Sequence, residues 1–112
     1  MRPERRGWLV WPAVTAPAFA APKLAFFGFE LLNTSLEPTR DDERARIAML
    51  DELAVAELAR LGAYEIVDTA AARAELAKLG ALRDCQGCEL DPARTLGADY
   101  AAFGWVQKVS NL

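Results

Sequence analysis

At 112 residues, with 53% apolar and 26% charged residues, the chain has the length and balance of one folded domain with a single core, not of a disordered segment. Thirteen basic residues stand against sixteen acidic ones; three basic and one acidic fall in the first twenty positions, leaving ten and fifteen, a net charge of −5, for residues 21–112. Those Lys and Arg are interspersed with carboxylates rather than clustered, so a nucleic-acid partner, which needs a basic patch, is not expected.

The first twenty residues read as a secretory signal peptide. Arg2, Arg5 and Arg6 make a basic start, residues 8–19 carry no charge, and Ala18-Phe19-Ala20 supplies small residues for cleavage. The apolar stretch is shorter than the roughly 20 residues that span a bilayer and contains Pro12 and Pro17. Arg5-Arg6 before Gly7, Trp8 and Leu9 also resembles a twin-arginine signal. The expectation is export to the periplasm, removal of residues 1–20, and a single α/β domain over 21–112 with no membrane span.

Residues 23–32, KLAFFGFELL, form a nearly unbroken apolar run, the pattern of a strand covered on both faces. Gly28 within it predicts a bulge or a close backbone approach. Asn33, Thr34 and Ser35 mark a loop that Pro38 closes. Thr39 and Asp42 have capping-box spacing, and the acids Asp41, Asp42 and Glu43 suit the first turn of a helix that runs to about Leu61 and stops at Gly62. Its apolar stripe is read as Ile47, Leu50, Ala54 and Leu61, widened by Leu53 and Leu58, with Arg44, Asp51 and Arg60 largely elsewhere.

A short second strand follows over residues 64–67, then a helix over 70–79 introduced by Asp68 and Thr69 and stopped by Gly80. Strand, helix, strand at this spacing predicts a βαβ unit with its first two strands parallel, in a mixed sheet with helices packed on it. Beyond Cys85 and Cys88, a brief helix over residues 90–96 holds Pro92 in its first turn. Residues 100–109 make the third strand, with Ala102, Gly104 and Val106 on one face and Phe103, Trp105 and Gln107 on the other. A long apolar strand three residues from the C-terminus would leave an open edge, so the strand is expected to continue beyond Leu112.

Cys85 and Cys88 are the only cysteines, and in an exported chain such a pair points first to a disulfide. A ring over so few residues restrains little of the unfolded chain and should stabilise by less than the roughly 3 kcal/mol of a 15-residue loop. The alternative is a thiol-disulfide exchange site, in which a helix N-terminus would favour thiolate. Glu89 and Asp91 directly behind the pair disfavour that. With no histidine, Ser-His-Asp and Cys-His catalysis are excluded, and two cysteines fall short of a four-ligand zinc site. No cofactor is implied, since a glycine-rich phosphate loop is missing after the first strand and Glu89 stands where covalent haem attachment needs His.

The strand LAFFGFE, the segments YEIVD (64–68), RDCQGCELD (83–91) and LGAD (96–99), and GWVQKVSN (104–111) together resemble an uncharacterised family of small exported bacterial proteins, DUF2380 or DUF3280, over nearly all of the domain. The same layout is similar to the N-terminal domain of TolB and to a domain of curli secretion proteins, which implies an interaction domain of the envelope and not an enzyme. The expected role is therefore a periplasmic binding or assembly module with a protein partner. Its expected contact surface is the Cys85–Asp91 loop with Asp84, Glu89 and Asp91, joined by Trp105, Gln107 and Lys108 of the last strand.

Overall fold

A computed structural model describes residues 21–110; the signal-peptide reading of residues 1–20 lies outside them. Strand β1 (Lys23–Asn33) leads into helix α1 (Asp41–Leu61) and then into the two-residue strand β2 (Glu65–Ile66). A 3-10 turn (Ala70–Ala72), helix α2 (Arg73–Ala77) and a second 3-10 turn (Leu82–Asp84) follow. Helix α3 (Leu90–Thr95) and strand β3 (Tyr100–Lys108) complete the fold. The strands lie in the order β2-β1-β3, and β1 pairs parallel with both neighbours. The α/β class and the parallel βαβ unit are as the sequence pattern predicts. The sheet expected to be mixed is, among the described residues, wholly parallel, because each strand is reached by a crossover and no hairpin occurs.

The pairing of β1 with β3 runs Leu24↔Tyr100 to Phe26↔Ala102 and resumes at Phe29↔Gly104, so β1 carries one extra residue between. That is the bulge Gly28 foreshadows, and Gly28 sits at φ +90, a conformation side chains disfavour. The extra residue brings Phe26 and Phe29 to the same face, their rings 5.5 Å apart and edge-on. Phe29 in turn lies over Gly104, where a Cβ would come within 2.7 Å of its ring.

Alternation of side chains assigns the two faces of the sheet. Leu31, Val106 and Lys108 face α1, where they meet Ile47 and Glu43. Glu30 and Trp105 are register partners on the opposite face, where Glu30 holds the Leu82–Asp84 turn. Among the described residues the buried apolar side chains are few: Leu24, Ala25, Ala72, Leu82, Ala93 and, completely enclosed, Pro92.

Several local expectations change. Arg40, not Thr39, is the N-cap of α1, and its N–H donates to Glu43 Oε1 at 2.9 Å. Thr39 instead accepts from Asn33 Nδ2 at 3.1 Å. The stripe facing the sheet is Ile47, Leu50, Asp51, Ala54 and Leu58, all half-buried, while Leu53 and Leu61 are each 61% exposed. Asp51 thus belongs to the inner face. The single helix expected over 70–79 is a 3-10 turn followed by the five-residue α2, with Asp68 Oδ1 accepting the Ala70 N–H at 2.9 Å.

Candidate functional site

The cysteine loop hangs between two anchors. On its N-terminal side, Glu30 reaches across from β1 and accepts the Leu82 N–H at 2.6 Å and the Arg83 guanidinium at 2.8 Å. On its C-terminal side, Pro92 and Ala93 of α3 are buried. Between them Cys85 and Cys88 stand at disulfide distance, with Cα atoms 5.6 Å apart. Gln86 (φ 52) and Gly87 (φ 103) make the left-handed turn that brings them together.

The acidic residues expected around this loop separate into three situations. Asp84 is exposed and Asp91 pairs with Arg94 at 2.8 Å in solvent. Glu89 is half-buried, and its Oε1 is enclosed with no hydrogen-bond partner among the described residues. Cys88 precedes a helix of only six residues with Asp91 in its first turn, so helical support for a thiolate is small.

Strand β3 carries the rest of the expected surface. Trp105 is 53% exposed, while Gln107 donates to Thr34 Oγ1 at 3.1 Å. Lys108 does not belong with them. It is only 8% exposed, and its Nζ lies 2.9 Å from Glu43 Oε2 and donates towards the Pro38 carbonyl at 3.4 Å. The parity of β3 explains this: Lys108 shares the α1 face with Val106, opposite Trp105 and Gln107. Glu30 sits beside Trp105 in the register, so the cysteine loop and the exposed tryptophan share one face of the sheet.

Open parallel sheets bind ligands outside the strand carboxyl ends where the strand order reverses, here between β1 and β3. The chain fills that crevice with its own groups. Asn33 Nδ2 donates to the Glu37 carbonyl at 2.8 Å, its Oδ1 accepts from Ser35, and the Thr34 N–H donates to the Lys108 carbonyl at 2.9 Å. Asp41, Asp42 and Glu43 load the start of α1 with negative charge, and each is paired with Arg or Lys. Glu43 is held below the usual carboxylate range, first by the Arg40 N–H it accepts and then by Lys108. The three carboxylates at this helix start disfavour a phosphate there.

A second concavity, of about 610 Å³, opens beside the β1 bulge. Phe26, Phe27 and Gly28 border it from β1, Asp51, Glu52 and Val55 from α1, and Arg73 from α2. At its edge Asp51 Oδ1 accepts the Phe29 N–H at 2.7 Å, and a Cβ on Gly28 would lie 3.0 Å from Asp51 Oδ2. The sequence pattern puts Asp51 off the apolar stripe, and the structure puts it on the inner face. Its position four residues after Ile47 was the available signal.

Among the described residues no helix is long and apolar enough to cross a membrane. No curated protein and no solved structure matches the chain, so the similarity to TolB has no structural counterpart. The model of the family DUF3280, described as a protein of unknown function (DUF2380), matches residues 22–112, from the start of β1 through all of β3, and the chain belongs to that family.

Proposed function

We propose that the chain is an exported, non-enzymatic binding or assembly module that docks on a periplasmic or envelope protein through β3 and the adjoining cysteine loop. The exposure of Trp105 on an edge strand carries this reading. A half-exposed tryptophan beside a loop fixed by Glu30 is the kind of rigid, amphipathic group that dominates protein interfaces. The self-filled crevice at the strand carboxyl ends leaves little room for a ligand at the usual location in such a sheet.

The test places a photo-crosslinking amino acid at Trp105 or Gln107 in the full-length chain expressed in bacteria. The expected result is a discrete adduct with an envelope protein, lost when Asp84 and Glu89 are both made Ala. An adduct-free chain confined to the cytoplasm overturns the reading. The rival role, thiol-disulfide exchange, is favoured by the Cys85–Cys88 pair at disulfide distance. A reduction potential below about −300 mV and no insulin reduction are expected of a structural bond. A higher potential with turnover makes the pair an exchange site.

A further inference from the structure

Strand β1 is paired along the whole of its β3 side, but β2 accompanies its other side only at Lys23 and Leu24. One more bond, from the Val67 N–H to the Leu24 carbonyl at 3.0 Å, ends that ladder. The Leu24 bond shows that before the bulge the even-numbered residues turn their peptide groups to this side. The bond from the Phe29 N–H to Asp51 shows that after it the odd-numbered ones do. Phe26 and Leu31 therefore present their N–H and C=O groups along an edge of β1 with no strand beside it among the described residues. At Phe29 the acceptor that a neighbouring strand would supply is a carboxylate from α1.

This open edge is not a bare rim. The concavity of about 610 Å³ borders its Phe26–Gly28 part, with apolar side chains of β1 and α1 on its walls and Asp51 and Glu52 on the α1 side. Arg73, which joins no ion pair among the described residues, stands across from them on α2. An edge with free peptide groups, apolar walls and two carboxylates fits an extended polypeptide that adds a strand. The main-chain bonds supply affinity, and alternate side chains enter the groove. We propose that the β1 edge between Phe26 and Leu31 binds an extended apolar peptide segment of a partner protein, with a basic side chain of that segment against Asp51 and Glu52. This goes beyond docking through β3 and uses the opposite edge of β1.

A random dodecapeptide library displayed on phage, selected against the full-length chain, tests it, with the dominant peptide then synthesised as the probe. The enriched sequences should alternate apolar residues and contain Lys or Arg. Amide exchange at Phe26 and Leu31 should slow by about tenfold or more on binding. Asp51→Asn, which keeps an oxygen for the Phe29 N–H, and Val55→Arg, on the half-exposed wall, should each weaken binding about tenfold. Trp105→Ala should leave it unchanged, so failure of the β3 reading and of this one are told apart. A library with no enrichment, or a probe that binds without slowing Phe26 and Leu31, overturns the proposal.

Discussion

At Phe29 the backbone N–H finds its acceptor in a side chain from another element, and the local geometry follows from that substitution. The Phe29 peptide faces the side of β1 that the two-residue β2 does not reach, Asp51 supplies the acceptor, and Gly28 supplies the room and the φ of +90. Asp51→Ala orphans the N–H and should lower the unfolding free energy by about 1–3 kcal/mol, read from urea titration. Asp51→Asn should cost clearly less; an equal loss would mean that charge, not the acceptor, matters there. Gly104→Ala pushes a methyl into the Phe29 ring and should cost about 1–3 kcal/mol by the same measurement. Glu43 makes a pH prediction. Its folded pKa lies below its ordinary value, so it adds stability that is present above the unfolded carboxylate pKa near 4.3 and lost as pH falls through the lower folded value. Melting midpoints of the wild type and Glu43→Gln should therefore differ at pH 7 and converge below about pH 4. A constant gap from pH 7 to 3 would remove Glu43 as a contributor.

Among the elements, the cysteine loop is held mainly from outside itself. Glu30 accepts from Leu82 and Arg83 with both side chains about four-fifths covered, 23% and 19% exposed, whereas a bond between Cys85 and Cys88, which stand at disulfide distance, would close only a small ring. Glu30→Ala should therefore cost about 1.5–3 kcal/mol and Cys85→Ser less than that, compared by urea unfolding. The reverse order would assign the anchoring to the sulfur bond. This ranking also marks what the chain reveals before it is folded. Strand β1, the reach of α1 and the bulge at Gly28 are legible because apolar runs, terminal acids and a mid-strand glycine act locally. Glu30, Asp51 and Lys108 are not, since each meets its partner across 52, 22 or 65 positions of sequence. Lys108 reads as a polar strand terminus beside Trp105, and only the β3 register turns it inward. Of the surface expected around the pair, Asp84, Trp105 and Gln107 are placed in solvent, while Lys108 closes α1 onto the sheet.

For the whole molecule, the distribution of burial sets the order in which the fold opens. No residue of α1 is fully buried, and Met49, Leu53 and Leu61 on it stand in solvent. The buried apolar side chains belong to β1, the two 3-10 turns and α3. The helix is therefore held by a half-buried stripe and two long-range side-chain contacts, Asp51 with Phe29 and Glu43 with Lys108. Such an element can detach while the β1–β3 ladder stays closed. Amide exchange should show this as two levels. Glu30 and Leu32, whose peptide groups face β3, should exchange only with global unfolding. The amides of α1 should exchange through a smaller opening, with a free energy that changes little in Gly104→Ala, where the global level falls. Phe26 and Leu31, on the unpaired edge of the same strand, should be fast from the outset, so that protection alternates by edge within β1. Equal protection across α1 and β1, falling together in Gly104→Ala, would instead mean one cooperative unit, with α1 more firmly seated than its exposed outer face implies.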